Sequence, residues 1–438
     1  MTASSRIAAV RAREILDSRG RPTVEAEVHL ADRSFGRACA PSGESRGRYE
    51  AWELRDREPE RYGGLGVKGA VANIKGEVAA ALMGEDVREQ ARVDRIMVQL
   101  DGTPALQRLG ANAVLAVSMA AARAAAAHQN MPLYSYIAAL AGTKMSMPMP
   151  MTNILSGGAH AARGMDLQDF LVIPVAAQSY SEALEMISRV RSAATALMQA
   201  EHLTTLLADE GGLSPGFERA EEALGLMVRS FEAAGFRPGS EVAIAIDVAA
   251  SELHDGEHYV LKRENKRFDG RGMRSFLSEL ARRFPVISIE DPLEQDDWQN
   301  WRELTRELHE IQIVGDDLFV TNIERIELGI KRDVANAALI KLNQIGTLTG
   351  TLSAMAAARA ANYATVVSAR SGETEDIFIA DLAVGTGAGQ IKIGSVRSSE
   401  RLAKYNQLLR IEEDAALPFA GVSAISARQL TAAGSRES

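Results

Sequence analysis

The sequence has little cysteine, no excess of basic residues and no long uninterrupted apolar run. Its 438 residues contain one cysteine, Cys39, which excludes an intrachain disulfide framework and indicates a reducing compartment. The N-terminal segment lacks a long apolar signal core, and Arg123 interrupts the most alanine-rich stretch. We therefore expect a cytoplasmic globular protein whose alanine-rich segment is a packed helix and not a membrane span.

Basic residues are outnumbered by acidic ones, with 49 Lys and Arg against 58 Asp and Glu, which gives a net charge of −9. Proteins that bind nucleic acids or anionic membranes normally present a basic field, so neither partner is expected here. An anionic small-molecule substrate would have to be held by a local basic cluster inside an acidic protein.

Several common catalytic motifs are also missing from the sequence. A GxGxxG spelling at 64–69 follows a polar segment instead of a strand, which argues against a dinucleotide-binding fold. The sequence has no P-loop, no serine in a nucleophile elbow and no cysteine and histidine cluster suited to zinc. These absences leave carboxylates, lysines and arginines as the candidate catalytic groups.

The sequence divides into two parts with different patterns. The alternation at 24–30 predicts a strand, and 34–40 is its expected hairpin partner. Helical spacing of apolar residues follows at 71–84 and 111–129. The run at 142–153 contains two prolines and breaks this pattern, so we predict an N-terminal domain at 1–142 and a C-terminal domain at 143–438.

The second part alternates short β-branched runs with helical segments, which predicts βα units and a mainly parallel sheet. Six of these runs end in a polar residue, namely Asp247, Glu290, Asp316, Lys341, Arg370 and Lys392. Each could separately be a solvated strand end. In an α/β barrel, however, the carboxyl ends of all strands surround one mouth, so six in succession predict a shared site.

The residue types at these strand ends suggest a particular chemistry. Three crowded carboxylates, Asp247, Glu290 and Asp316, repel one another unless a hard divalent cation such as Mg²⁺ binds between them. Lys341 near such positive charges is expected to lose affinity for its proton and to serve as a base. A cation that binds a carboxylate and a lysine that faces its α-carbon together favour proton abstraction through an enediolate.

Longer motifs resemble those of the enolases over nearly the whole chain. They include REILDSRGRPTVEAEV, SIEDPLEQDDW, GDDLFVTN, LIKLNQIGTLT and AKYNQLLRIEE. The resemblance implies an α/β fold, with a modified eight-stranded α/β (TIM-type) barrel and an N-terminal α+β domain. It also implies a homodimer, with higher oligomers left open, and a small anionic phospho- or phosphono-carboxylate substrate.

The resemblance also implies a role for individual residues. One Mg²⁺ would be bound by Asp247, Glu290 and Asp316, and a second, arriving with substrate, by the loop residue Ser45. The catalytic residues would be Lys341, which removes the C2 proton of 2-phosphoglycerate, Glu210, which helps hydroxide leave from C3, and Asp169, which pairs with Glu210. The substrate contacts would be His160, Arg370 and Ser371 on phosphate and Lys392 on carboxylate.

The departures from the enolase pattern fall on one side of this site. Ala369 stands where enolases have a histidine, and Asp169 where they have a glutamate. Arg46 and Arg163 add cations to the two loops that cover the site. Since the metal ligands and the base are retained, we expect enolate chemistry on a larger or more anionic substrate than 2-phosphoglycerate.

Three functions are compatible with this pattern. The most specific prediction is a carboxyphosphonoenolpyruvate synthase of phosphonate or phosphinate antibiotic biosynthesis, in which Arg46 or Arg163 binds the added carboxylate. The first alternative is ordinary enolase, a Mg²⁺-dependent carbon–oxygen lyase that converts 2-phosphoglycerate to phosphoenolpyruvate and water. The second alternative is a noncatalytic binding protein with an enolase fold, which the retained Lys341 and Lys392 oppose.

Overall fold

The computed structural model describes residues 4–44 and 46–425. The N-terminal region is α+β. Its three-stranded antiparallel sheet has the order β1–β2–β3, with β1 (Ile7–Leu16), β2 (Pro22–Leu30) and β3 (Phe35–Cys39). The β2–β3 pair is the predicted hairpin, whereas the sequence analysis did not predict β1.

Five α-helices complete this region. They are α1 (Lys68–Asn73), α2 (Ala79–Leu82), α3 (Gln90–Asp101), α4 (Ala111–His128) and α5 (Leu133–Ala141), with a π-helical turn at Ile74–Val78 between α1 and α2. The alanine-rich α4 is almost entirely buried and packs on β2 and β3. Gly36 permits this approach, because a Cβ atom there would lie 2.1 Å from the carbonyl oxygen of Ala120. As predicted, the alanine-rich stretch is a packed helix.

The C-terminal region is a closed eight-stranded barrel. In chain order, the barrel strands and the β7–β8 hairpin are β4 (Met149–Ser156), β5 (Asp169–Ile173), β6 (Ala243–Asp247), β7 (Tyr259–Leu261), β8 (Lys266–Phe268), β9 (Val286–Glu290), β10 (Gln312–Gly315), β11 (Ala337–Ile340), β12 (Ala364–Ser368) and β13 (Gly389–Gly394). The barrel order is β10–β11–β12–β13–β4–β5–β6–β9. The chain thus has the α/β fold that its motifs implied, with an N-terminal α+β domain.

The helices that follow the barrel strands cover its outside. They are α6 (Tyr180–Ala200), α7 (Ala220–Ala233), α8 (Ala250–Leu253), α9 (Gly270–Arg283), α10 (Trp298–Glu307), α11 (Ile323–Arg332), α12 (Leu342–Ile345), α13 (Leu348–Ala360), α14 (Phe378–Thr386) and α15 (Ser399–Ala415). Within the described residues, none of the helices is both long enough and apolar enough to cross a bilayer.

Strand β5 is the one irregular member of the barrel. It pairs antiparallel with both β4 and β6, and all the other barrel pairs are parallel. Asp169 at its first residue is therefore the register partner of Asp247 at the last residue of β6. Reversal of β5 thus brings the start of this strand to the end of the barrel where the parallel strands finish.

Candidate active site

The six polar strand ends predicted from the sequence all lie at this barrel mouth. Asp247 and Glu290 are the last residues of β6 and β9, and Asp316 and Lys341 follow β10 and β11 directly. Lys392 lies within β13, and Arg370 comes two residues after β12. All six side chains are at least 86% buried, so the mouth concentrates opposite charges in a region with little access to water.

Lys392 joins two of the carboxylates. Its Nζ atom donates to Asp247 at 2.8 Å and to Glu290 at 2.7 Å. Burial, followed by the charge of Asp247, raises the pKa of Glu290 to about 8. Burial lowers the pKa of Lys392, but Asp247 and Glu290 more than compensate and hold that pKa well above its usual value. The lysine therefore remains a fixed cation beside these acids.

Lys341 forms an ion pair with Asp316, and Gln344 donates to the other oxygen of the same carboxylate at 2.8 Å. Burial lowers the pKa of Lys341, yet Asp316 outweighs burial, and the net shift is upward. This direction is opposite to the one expected from the sequence. The reason is proximity, because the carboxylate of Asp316 contacts the ammonium group, whereas Arg370 and Lys392 act on it only through longer-range repulsion.

The oxygen donors at the mouth fit a hard divalent cation. Asp316 also lies close to two further carboxylates, since oxygens of Asp291, Asp316 and Asp317 are all within 4.8 Å of one another. The raised pKa of Glu290 shows how costly it is to ionise these groups together without additional positive charge. An all-oxygen set of buried carboxylates is the donor chemistry that Mg²⁺ prefers.

A second buried cluster contains His160, Asp169 and Glu210. The His160 Nδ1 atom lies 3.0 Å from Asp169, whose other oxygen accepts a 2.6 Å hydrogen bond from the Ser156 hydroxyl. The Nε2 atom of His160 is 3.9 Å from Glu210, to which Asn153 donates at 3.3 Å. The structure therefore places the predicted acid Glu210 and its partner Asp169 on either side of one imidazole.

The charges of this cluster depend on one another. Burial lowers the pKa of His160, but Glu210 and Asp169 outweigh burial and raise it to about 9. Burial raises the pKa of Asp169. The pKa of Glu210 is instead lowered, because His160, Arg401 and the two site lysines overcome the effect of burial. His160 is accordingly the protonated member of the cluster near neutral pH.

Ala369 lies between the two clusters in sequence and is buried, with 5% of its surface exposed. Its amide donates to the carbonyl oxygen of Lys392 at 2.9 Å. An imidazole at this position would project from a backbone that is held directly against the Lys392 strand. The alanine thus removes a titratable group from the immediate surroundings of Lys392.

Arg370 and Ser371 connect the mouth to the N-terminal loop. Arg370 is an ion-pair partner of Glu50 at 3.0 Å, and a Cβ atom on Gly43 would lie 1.8 Å from its guanidinium group. Only glycine allows the loop to approach so closely. The Ser371 hydroxyl accepts from the amide of Glu44 at 2.7 Å. The two predicted phosphate contacts thus lie beneath this loop.

The two additional loop arginines occupy more open positions. Arg46 lies over the Trp52 ring, 4.9 Å from its centroid, and shares a small crevice with Arg370. Arg163 is 61% exposed and lies 3.2 Å from Glu252 on the rim of a larger cavity. Neither arginine makes a printed contact with the buried clusters. Ser45, the predicted ligand of a second Mg²⁺, lies outside the described residues.

The sequence analysis did not identify five buried polar residues that hold these side chains. They are Glu50 on Arg370, Gln344 on Asp316, Ser156 on Asp169, Asn153 on Glu210 and Gln168 on Asp247. Gln344 and Gln168 lie within the enolase-like motifs, and this was the available signal. Asn153 had none, because it lies in a run that was interpreted as a break between domains.

The fold and the mouth together define a barrel enzyme with acid and lysine groups arranged for chemistry on a small anion. The family model described as the enolase C-terminal TIM barrel domain matches residues 144–427, and the model of the enolase N-terminal domain matches residues 7–137. These two matches cover nearly the whole chain. The chain therefore belongs to the enolase family.

Proposed function

We propose that the protein removes the proton α to the carboxylate of a 2-phosphoglycerate-type substrate, in a reaction that depends on Mg²⁺. The observation that carries this proposal is the arrangement of two buried lysines among three strand-end carboxylates at one barrel mouth. Placing several charges of both signs in a dry site costs free energy, which a purely structural role would not repay.

Each group has a role that matches its surroundings. Lys341 is the base for the C2 proton, and Lys392 binds the substrate carboxylate as a fixed cation. Arg370, whose charge is held by burial beside Glu50, binds the phosphoryl group together with Ser371. Mg²⁺ bound by Asp247, Glu290 and Asp316 would supply positive charge that acidifies the C2 proton and offsets the attraction of Asp316 for Lys341.

As the particular reaction we propose formation of carboxyphosphonoenolpyruvate, an enolpyruvate ester that carries a phosphonoformyl group. Support comes from the position of the two departures from the enolase pattern, because Asp169 and Ala369 both belong to the leaving-group side. The proton-abstraction side keeps every predicted group. Arg163, on the rim of an open cavity, is available for a larger anion.

Ordinary enolase activity is the second candidate. It is favoured by Glu210, which remains buried and close to a protonated histidine, so that a proton donor is still present near C3. The two candidates differ in how readily hydroxide leaves and share the first step. We also infer a homodimer from the enolase resemblance, which sedimentation of the full chain would test.

The shared first step is tested by incubating the protein with Mg²⁺ and 2-phosphoglycerate in D₂O and following loss of the C2 proton by NMR. We expect exchange in the wild-type protein and none in Lys341→Met. Lys331→Met, an exposed lysine in the last turn of α11, is the matched control and should exchange normally. Absence of exchange with every phosphoglycerate analogue would overturn the proposal and favour a noncatalytic protein.

A further inference from the structure

A cavity of about 640 Å³ opens beside the barrel mouth. Gln168 lines it and reaches the site, because its Nε2 atom donates to Asp247 at 3.1 Å. Val248, the next residue after Asp247, lines it as well. Pockets of about 300–1,000 Å³ are large enough to bury most of a small-molecule ligand. The cavity is thus continuous with the site and has room for more than a three-carbon acid.

The lining is basic, although the chain as a whole is acidic. Four basic side chains face three acidic ones, and three of the four come from the β7–β8 hairpin. The basic residues are Arg163, Lys262, Arg263 and Arg267. Such a local field attracts anions even when the net charge of the protein is negative.

The acidic residues of the lining are already engaged. Glu252 pairs with Arg163 at 3.2 Å, and Asp255 pairs with Arg267 at 3.1 Å. Asp166 accepts hydrogen bonds from the backbone amides of Arg263 and Glu264 at 2.9–3.0 Å. Backbone donors therefore satisfy Asp166, and its carboxylate does not occupy a basic side chain.

Two cations remain without a carboxylate partner in the part of the chain that the structure describes. Lys262 makes no ion pair there, and the Arg263 guanidinium donates to the carbonyl oxygen of Gly216 at 3.2 Å. Both follow β7 directly, so the hairpin fixes their position on the rim. A guanidinium and an ammonium side by side suit the several oxygens of a phosphoryl or phosphonyl group.

We propose that Lys262 and Arg263 form a second anion subsite that binds a phosphoryl or phosphonyl group beyond the one bound by Arg370. The inference rests on the proposed function, since it assigns the larger substrate of that reaction a second phosphorus-centred anion. That anion belongs either to the same molecule as the reacting carboxylate or to a separate co-substrate. Arg163, across the cavity, marks the other side of this subsite.

Equilibrium binding tests the subsite independently of turnover. The probes are 2-phosphoglycerate and 2,3-bisphosphoglycerate, which differ by one phosphoryl group, titrated calorimetrically in saturating Mg²⁺. The variant is Lys262→Gln/Arg263→Gln. The control is Arg237→Gln/Lys331→Gln, which removes the same charge from exposed positions that precede β6 and β11 and thus lie at the opposite end of the barrel.

We expect the wild-type protein to bind the bisphosphate more tightly, and the hairpin variant to lose about tenfold in that affinity, with less than about twofold loss for 2-phosphoglycerate. The control should retain both affinities. Equal losses for the two probes, an equal loss in the control, or no preference for the bisphosphate in the wild-type protein would overturn the subsite. An intact preference in a protein that exchanges no C2 proton would refute the proposed function and leave the subsite standing.

A second arm distinguishes the two sources of the anion. Inorganic phosphate is titrated into the wild-type protein already saturated with 2-phosphoglycerate. Additional binding that the hairpin variant loses would support the subsite and assign the anion to a separate co-substrate. If phosphate does not bind while the bisphosphate preference holds, the anion belongs to the same molecule as the carboxylate.

Discussion

The two sides of the barrel mouth differ in how closely they keep the enolase pattern. On the proton-abstraction side, Lys341 and Lys392 are held by three carboxylates, and every predicted group is present. On the leaving-group side, a shorter Asp169 pairs with His160, and Ala369 replaces an imidazole. The difference teaches that the base and the acid of one reaction can be changed independently, because separate ion-pair clusters hold them.

The largest effect is expected from removal of the base. Lys341→Met keeps the length of the side chain and removes the amine, so C2 proton exchange should fall by at least about 10³-fold. Deuterium incorporation at C2, measured by NMR, checks this. A fall of less than about tenfold would show that another group removes the proton and that the two sides are not divided as described.

The charge of His160 is expected to make stability depend on pH. Its pKa is about 9 in the folded protein against 6.5 for an ordinary histidine. Because the folded value is the higher one, the stabilisation is complete below about pH 6.5 and is lost as the pH rises through about 9. Between pH 6 and 10, the free energy of unfolding should fall by up to about 3 kcal/mol more in the wild-type protein than in His160→Asn.

Urea unfolding at the two pH values measures this difference. His309→Asn, an exposed histidine, is the control and should follow the wild-type protein. Parallel pH dependence in the wild-type protein and His160→Asn would mean that Asp169 and Glu210 do not hold a charged imidazole. The leaving-group side would then lack its proton donor.

A smaller effect is expected from restoring the enolase residues. Ala369→His combined with Asp169→Glu should raise phosphoenolpyruvate formation from 2-phosphoglycerate by about tenfold, because acid–base geometry at C3 is recovered. Absorbance of the product enol measures the rate, and each single variant serves as a control. If the double variant is no faster than the wild-type protein, these two positions do not limit elimination.

The sequence predicted the fold where local pattern and tertiary structure agree. The parallel strands were visible as apolar runs with a polar last residue, as in β6 and β9. Strands β4 and β5 were missed from the pattern alone. Proline and methionine at the start of β4 mimic a linker, and the reversed direction of β5 depends on pairing with β6. Pairing direction is a tertiary property that five residues such as Asp169–Ile173 do not encode by themselves.

The candidate site was predictable to a similar degree. The strand-end charges could be read from spacing, because a barrel brings all its strand ends together. The direction of the Lys341 pKa could not, since it depends on Asp316 being the nearest charge. Partners such as Glu50 were equally inaccessible, because Glu50 meets Arg370 only when the two domains pack together.

The ratio of proton exchange to elimination tests the difference between the two sides most directly. Wild-type protein is incubated with Mg²⁺ and 2-phosphoglycerate in D₂O, and C2 deuteration and phosphoenolpyruvate are measured in the same sample. An intact base beside an altered leaving-group side predicts that deuteration is much faster than phosphoenolpyruvate formation. Phosphoenolpyruvate formation as fast as deuteration would contradict it and identify the chain as an ordinary enolase.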